Sequence, residues 1–311
     1  MKKRKIGVVG SINADLVFKT DILPKVGETV NGKEFAIMHG GKGANEAVAC
    51  SRLGASTMIL SCVGDDIFSK NEIANLQQEG VHITAVKQIK NTQGGIAGIT
   101  VCNGNNQIVV IPGANAKLDT DYIKKYSSRI KECSIVGAQF EVPIDSLILV
   151  GKICKENNIK FVLNPSPIKK YPMELFNNAS YVIVNEIELQ EVEGYNPKKP
   201  MDVLKKYPNK LIVTQGSKGV DYYNGKDIIN IPAISVDVID TTGAGDTFLG
   251  SFMVGINNDM SIHDSILLAN ICAGLKTTKL GAQTGMPTIS ELKKYIKKNK
   301  IDLNINMLQG V

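Results

Sequence analysis

The sequence contains no tryptophan, and aromatic residues make up only 5% of its 311 residues. Its basic residues, 36 Lys and Arg against 30 Asp and Glu, give a formal charge of +6 and occur largely as dispersed lysine pairs. Such pairs usually coat the solvated faces of helices, and no aromatic-rich basic motif accompanies them here. The composition therefore disfavours a nucleic-acid-binding protein.

Disulfide and zinc patterns are also missing. The six cysteines have no CxxC spacing, and the three histidines His39, His82 and His263 form no HExxH pair. We expect buried, reduced thiols in a cytoplasmic protein without a zinc site.

Long hydrophobic runs are absent as well. The chain begins Met1-Lys-Lys-Arg-Lys, but the apolar run behind it, 6–9, is too short for a signal peptide. No stretch approaches the ~20 apolar residues of a membrane span. The sequence predicts a soluble protein with no membrane partner.

Two common nucleotide-binding motifs are not found. Gly41-Lys42 is followed by Gly43, and no GK[ST] occurs anywhere. Gly7-Val-Val-Gly10 does not have the GxGxxG spacing. The P-loop NTPase and Rossmann dehydrogenase hypotheses thus lose their main support.

Short β-branched runs alternate with longer helical patterns along the chain. Strands are predicted at 5–10, 58–63, 134–139, 160–163, 181–184 and 210–214. Helices are predicted near 44–53, 67–79, 144–157, 186–193, 200–207, 244–257, 261–278 and 288–299. This rhythm indicates an α/β fold, a mainly parallel sheet covered by helices on both faces, which we assign to one domain over 1–311.

Two stretches, 16–38 and 95–111, break the rhythm. The second contains two β-type runs around Asn103-Gly104-Asn105-Asn106, a strong hairpin signal. We predict that both stretches form a small antiparallel sheet that projects from the α/β body as a lid. The alternative is that they are edge strands of the main sheet.

The most informative segment is Asp240-Thr-Thr-Gly-Ala-Gly-Asp246-Thr-Phe, which precedes an apolar helical pattern. Small residues let the backbone approach a ligand, and the N–H groups of a helix start can bind phosphate oxygens. An aspartate is unexpected in a loop that only binds phosphate, because it would repel the charge, but it is explained if Asp246 accepts a proton from an attacking hydroxyl. The alternative is that Asp246 only caps the helix.

A second cluster combines Asn13-Ala-Asp15 with His39-Gly-Gly-Lys-Gly-Ala-Asn45. We expect both at the carboxyl ends of strands, where α/β sheets bind ligands. Carboxylate and amide groups in this set can hold vicinal hydroxyls of a polyol, although turn and capping roles would also explain each piece.

Nine segments in order resemble the ribokinase-like (PfkB) sugar and nucleoside kinases, from residue 5 to about 290. They are GSINADLV, PKVGETV, GGKGANEAVA, VGDD, LNPSP, VNEIE, TQGSKGV, DTTGAGDTF and KLGAQTGMP. The resemblance implies ATP-dependent transfer of a phosphoryl group to a sugar hydroxyl, with Asp246 as the catalytic base. Gly243, Ala244 and Gly245, with the Asp246 amide, would form the anion hole.

The resemblance also assigns the remaining site residues. The sugar would be held by Asn13, Asp15, Gly41, Lys42, Gly43, Asn45 and Glu141. ATP would contact Asn185, Thr214, Gly216, Ser217, Gly219 and Asn270, and the motif from Asn185 to Glu188 would help to place Mg²⁺-bound water. A monovalent cation, K⁺, would lie near Asp240 and Thr242 and the carbonyls of Lys276, Lys279, Gly281 and Gly285.

Two departures and several alternatives remain. Gly243-Ala244 stands where the family often has two alanines, and Gly285 stands where a side-chain hydroxyl is common, which weakens the expectation of K⁺ activation. The resemblance implies a homodimer formed through the lid. The motifs favour D-ribose as acceptor, to give ribose 5-phosphate, while 2-deoxyribose, fructose or a nucleoside stays open, as does a non-catalytic sugar-binding regulator.

Overall fold

The structure, a computed structural model, describes residues 4–102, 105–306 and 308. Its strands are β1 Lys5–Val9, β2 Asn13–Thr20, β3 Glu34–Gly40, β4 Ser56–Val63, β5 His82–Gln88, β6 Gly95–Cys102, β7 Asn105–Ile111, β8 Cys133–Gln139, β9 Lys160–Asn164, β10 Tyr181–Asn185, β11 Leu211–Thr214, β12 Val220–Tyr223 and β13 Ile228–Ile231. Its α-helices are α1 Lys42–Arg52, α2 Ile67–Gln78, α3 Thr120–Lys125, α4 Ser127–Lys131, α5 Ile144–Glu156, α6 Met173–Asn178, α7 Ala244–Asn257, α8 Ile262–Lys276 and α9 Ile289–Asn299.

The main sheet has the order β13-β12-β11-β10-β9-β8-β1-β4-β5. All neighbours from β11 to β5 pair in parallel, and β12 and β13 extend the sheet with antiparallel pairs. The parallel α/β architecture expected from the alternating pattern is confirmed.

Alternation along the strands divides the core between the two faces of the sheet. In β1, Ile6 and Val8 pack against the helices α1, α7 and α8, while Val9 packs on the opposite side with the apolar residues of α5. A strand that buries both faces must be apolar at successive positions, which explains the continuous apolar runs seen in the sequence.

The small sheet is separate from the main one, with the order β3-β2-β6-β7. The pairs β2–β3 and β6–β7 are antiparallel as predicted, but β2–β6 is parallel. The predicted small sheet is therefore confirmed in its two antiparallel hairpins, while the pair that joins them is parallel, because the two hairpins lie side by side with their first strands in the same direction. The predicted turn at Asn103-Gly104 lies outside the described residues.

Two predicted helices, 186–193 and 200–207, are short 3-10 segments, Glu188–Glu191 and Pro200–Lys206. The side chain of Asn185 accepts the N–H groups of Ile187 and Glu188 and thereby forms a tight turn. The second segment ends before Pro208, and a residue that precedes proline avoids the α conformation.

Within the described part of the chain, no helix is both long enough and apolar enough to cross a bilayer. All six cysteines are free and buried, as expected.

Candidate active site

The predicted site residues converge at the carboxyl edge of the main sheet. Ser11 follows β1, Glu141 follows β8, and Asn185 ends β10. Helices α1 and α7 both begin at this edge, and their N-terminal ends carry partial positive charge. The edge is therefore suited to an anionic ligand.

Asp246 lies in the first turn of α7 and is 7% exposed. The N-cap of the helix is Gly243, whose φ of 75° is left-handed, so Asp246 does not occupy the capping position. Its Oδ2 accepts the Asn45 Nδ2–H at 2.8 Å, and Lys42 Nζ lies 3.7 Å from its Oδ1. The capping alternative for this aspartate is excluded, because its carboxylate faces Asn45 and Lys42 instead.

A chain of amides supports the Asn45 side chain. Asn75 Nδ2 donates to Gln283 Oε1 at 2.7 Å, and Gln283 Nε2 donates to Asn45 Oδ1 at 3.0 Å. Because Gln283 donates to the Asn45 oxygen, the Asn45 NH₂ group is left to face Asp246. Motif reasoning missed Asn75, and placed Gln283 only within a cation-binding loop.

Glu141 joins the start of α1 to the segment that follows β1. Its carboxylate accepts the backbone N–H of Lys42 at 3.1 Å and the hydroxyl of Ser11. Burial works to lower the pKa of Lys42, but the charges of Asp246 and Glu141 outweigh it and raise that pKa above its ordinary value. The Lys42 ammonium thus stays charged between two carboxylates.

Asn13 and Asp15 are the first and third residues of β2, and they do not lie at the end of β1 itself. Burial, together with the charges of Glu141, Glu72 and Asp246, raises the pKa of Asp15 to about 7. Asn13 is buried, and its Oδ1 accepts the Asn115 Nδ2–H at 2.7 Å. Asn115 also bonds both backbone groups of Ile12 and so holds this turn of chain; no sequence motif marked it.

Close backbone approach explains two glycines of the GGKGAN segment. Gly41 has φ 88°, and a Cβ there would lie 2.6 Å from the backbone nitrogen of Asn13. A Cβ on Gly43 would lie 2.7 Å from the backbone of Gly10. Both glycines let α1 start directly against the end of β1.

The predicted anion-hole loop is partly exposed. A Cβ on Gly245 would have no atom within 4 Å, so this position faces open space. The N–H groups of Gly245 and Asp246 belong to a first helical turn, which has no intrahelical acceptors. The N–H of Ala244 already donates to the carbonyl of Thr241 at 3.1 Å.

The expected nucleotide residues lie at the ends of β10 and β11. Glu188 is buried, and its carboxylate accepts the backbone N–H of Asn185 at 3.0 Å. Lys218 reaches across to Glu186 at 3.1 Å and joins the two loops. Thr214, Gly216, Ser217 and Gly219 form the second loop, in which Gly216 has φ 55° and Gly219 φ 93°.

Asn270 lies in the second half of α8. It is 7% exposed, and its NH₂ group donates to the carbonyls of Pro232 at 2.7 Å and Ile231 at 3.2 Å. These two hydrogen bonds join α8 to the end of β13 and the residue that follows it.

Residues of the expected cation site cluster around Asp240. Oδ1 accepts the Thr242 N–H and Oδ2 accepts the Gly281 N–H, each at 2.8 Å. The ammonium of Lys276 also contacts Asp240, and Gly285 packs against Lys276. The Lys279 side chain pairs with Glu291 at 2.9 Å.

A cleft of about 370 Å³ separates the small sheet from the loops around Asp240 and Leu280. Asp15, Val17 and Ile99 line it from the small sheet, and Thr241 and Thr242 line it from the other side. The small sheet therefore forms one wall of the cleft, and Asp15 stands on that wall.

Among residues 4–102, 105–306 and 308, no group of three His, Cys, Asp or Glu side chains could hold a metal ion. A Mg²⁺ ion that arrives with phosphates needs no such cage, because it keeps several waters and takes one or two carboxylates. The Glu188 carboxylate, whose Oε2 accepts the Asn185 N–H, can bind a water of such an ion, whereas the Asn185 side-chain oxygen already accepts two backbone N–H groups.

The sequence matches the pfkB family of carbohydrate kinases over residues 3–289. It is 42% identical to a ribokinase of Lactococcus lactis, over 96% of this chain and 99% of that protein. It is 33% identical to a deoxyribokinase of Salmonella typhi, over 95% and 99% of the two chains. The structure of an Arabidopsis thaliana ribokinase complexed with ribose and ATP superposes with a TM-score of 0.85, at 30% identity, and covers 95% of this chain and 99% of that one. The chain belongs to the pfkB family of carbohydrate kinases.

Proposed function

We propose that this protein transfers the γ-phosphate of ATP to the 5-hydroxyl of D-ribose and releases ribose 5-phosphate and ADP. The observation that carries the proposal is the buried Asp246 carboxylate at the start of α7, held by Asn45 and faced by Lys42. The ribokinase relatives and the Arabidopsis structure with ribose and ATP support this choice of substrates.

Phosphoryl transfer from ATP to the sugar requires no covalent bond between the substrates and the protein. The ribose oxygen forms a bond to the γ-phosphorus while the bond to the bridging oxygen breaks, and its electron pair leaves on ADP. Asp246 accepts the proton of the attacking hydroxyl. Because the phosphoryl transition state is loose, positioning and charge stabilisation supply most of the rate enhancement.

Charge stabilisation falls to groups around that carboxylate. The amides of Gly245 and Asp246 and the positive end of α7 point toward the incoming phosphate oxygens. The Lys42 ammonium lies beside Asp246 and contributes a positive charge on the sugar side. Bound Mg²⁺, near Asn185 and Glu188, would neutralise charge on the phosphates.

On the nucleotide side, we propose that Thr214, Gly216, Ser217 and Gly219 contact ATP. The left-handed Gly216 and Gly219 permit the tight loop, and the exposed Ser217 can donate to a phosphate or ribose oxygen. We propose a structural role for Asn270, because its side-chain NH₂ group donates to two backbone carbonyls.

The acceptor side is built for vicinal hydroxyls. The Asp15 carboxylate can accept two hydrogen bonds, and the amide of Asn13 is held in place by Asn115. A site made to bind a hydroxyl discriminates against an analogue that lacks it, because its buried polar groups are left unpaired. We therefore place ribose ahead of 2-deoxyribose.

We further propose that the protein is a cytoplasmic homodimer. Its free, buried thiols suit a reducing compartment. In the small sheet, the register places Phe18, Phe35, Ile37 and Val109 on the side away from the cleft, and each is about half exposed or more. An apolar surface of this kind supports an interface with a second copy of the chain.

The test is sugar-dependent ADP release by the purified protein with Mg·ATP and ribose, 2-deoxyribose, fructose or adenosine, with phosphorus NMR of the product. We expect kcat/KM to be highest for ribose, by about tenfold or more over 2-deoxyribose. A higher kcat/KM for another acceptor would identify that acceptor, and not ribose, as the substrate. Ribose binding without ADP release would indicate a regulator instead of an enzyme.

A further inference from the structure

The expected site for a monovalent cation contains a lysine. Lys276 is fully buried at the end of α8. Its Nζ donates to the backbone carbonyl of Asp240 at 2.7 Å and lies 3.7 Å from Asp240 Oδ2. A positive charge thus already stands beside the carboxylate that would bind the ion.

Gly285 shows that the lysine stem belongs to this site. A Cβ at position 285 would lie 2.5 Å from the carbonyl oxygen of Lys276 and 3.2 Å from its Cε. Any side chain here, including a hydroxyl that could bind a cation, would have to displace the lysine stem or its backbone. The lysine at 276 therefore requires a residue without a side chain at 285, which explains why no hydroxyl stands there.

Two of the expected oxygen donors, the Asp240 carboxylate and the Lys276 carbonyl, already accept hydrogen bonds that hold loops together. Each carboxylate oxygen of Asp240 accepts a backbone N–H, from Thr242 or from Gly281. The carbonyl of Lys276 accepts the N–H of Lys279 at 3.3 Å. Because the Lys276 ammonium already contacts Asp240, these residues do not fit a bound K⁺ ion.

We propose that the Lys276 ammonium takes the place of a monovalent metal ion in this protein and makes its activity independent of K⁺. The ammonium binds Asp240, whose carboxylate ties the segment before the anion hole to the loop at Gly281. It therefore orders the chain that leads into α7. As it concerns catalysis, the inference rests on the proposed kinase function.

The burial of Lys276 has an electrostatic cost. Burial lowers the pKa of Lys276 below its ordinary value, and the carboxylate of Asp240, its hydrogen bond and the charge of Asp246 offset only part of that effect. These two carboxylates are the groups that compensate the buried ammonium.

The first test uses the unaltered protein. Its rate with ribose and its melting temperature are measured in potassium chloride and in choline chloride at equal ionic strength. We expect both quantities to be unchanged. A rate or melting temperature that rises saturably with K⁺ would overturn the proposal. The melting temperature needs no substrate, so a failure of the proposed ribose kinase activity would be recognised separately.

Two variants separate the charge from the space it fills. Lys276→Ala removes both, and we expect about a tenfold or greater loss of rate in choline, with recovery of rate and melting temperature in K⁺. Lys276→Met keeps the stem and should lose rate without recovery. Lys294→Ala, on the exposed face of α9, is the matched control and should behave as the unaltered protein. A Lys276→Ala variant that does not respond to K⁺ in either measurement would contradict the proposal.

Discussion

At the scale of single residues, the raised pKa of Asp15 ties sugar binding to pH. Burial and the neighbouring charges of Glu141, Glu72 and Asp246 bring the pKa of Asp15 to about 7. As the pH falls through this value, the carboxylate gains a proton and loses acceptor capacity for sugar hydroxyls. At pH values below 7, we expect kcat/KM for ribose to decrease as the pH falls, with a limiting slope of about tenfold per pH unit.

The measurement is a profile of kcat/KM for ribose between pH 5.5 and 8.5, with His39→Gln as control. His39 pairs with Glu72 at 2.9 Å, and this hydrogen bond raises its pKa, so its own titration must be removed. The inflection near 7 should persist in the control. A flat profile over this range would refute the assignment to Asp15.

Glu46 predicts a pH effect on stability. It is fully buried in α1, and its Oε1 has no hydrogen-bond partner among the described residues. Burial raises the pKa of Glu46 well above its ordinary value, and the charge of Asp246 adds to this. A carboxyl group with a raised folded-state pKa stabilises the fold at low pH, and that contribution is lost as the pH rises above 4.5.

We therefore expect Glu46→Gln, which stays neutral, to raise the free energy of unfolding by about 1–3 kcal/mol at pH 8.5 and by less at pH 5. Thermal unfolding at both pH values checks this. An equal difference at both pH values would mean that Glu46 does not titrate in this range.

Site residues differ in how visible they are from sequence. Asp246, Asn45 and Asp15 stand in segments whose glycines and polar side chains indicate ligand binding. Asn115 and Gln283 act by holding residues more than 100 positions away in sequence, and no local pattern marks such a partner. Their roles follow from the packing of distant elements.

At the scale of elements, the amide chain links α2, the loop after α8, α1 and α7. Replacing Gln283 by Leu removes the donor that orients Asn45, so Asp246 loses a fixed partner. We expect kcat to fall about five- to tenfold, the effect of one lost hydrogen bond, while KM for ATP stays unchanged.

Asn75→Leu is the graded control, because it removes only the outer link to Gln283. It should lower kcat by less than Gln283→Leu does. A Gln283→Leu variant whose kcat is unchanged, or whose losses lie in KM for ATP, would show that the amide chain does not position the base.

Elements with strong local signals could be predicted, and those set by context could not. The apolar runs and the helical patterns between them predicted the parallel sheet, and α9 begins one residue after its predicted start at 288, next to a capping box of Thr288 and Glu291 that the sequence analysis did not identify. The antiparallel pair β12–β13 was missed, although Asn224-Gly225 between the strands is a hairpin signal. The parallel pairing of β2 with β6 depends on how two hairpins meet, which neither hairpin encodes alone.

At the scale of the whole molecule, the small sheet has one side on the cleft and an apolar side away from it. The proposed dimer would bury that outer side. We expect Val109→Glu to convert the dimer to a monomer, since a charge buried without a partner is costly. Val26→Glu, in a fully exposed loop position, should keep the dimer. Light scattering after size exclusion checks both, and equal masses for the two variants would contradict the interface.

The central claim is that Asp246 accepts the proton of the sugar hydroxyl during phosphoryl transfer, and Asp246→Asn tests it most directly. The amide keeps the size of the side chain but cannot take the proton. Steady-state rates with ribose and calorimetric ribose binding should show kcat lower by about 10³-fold or more with the Kd for ribose within a few-fold of the original. A variant that binds ribose and keeps more than about a tenth of the original kcat would contradict the account.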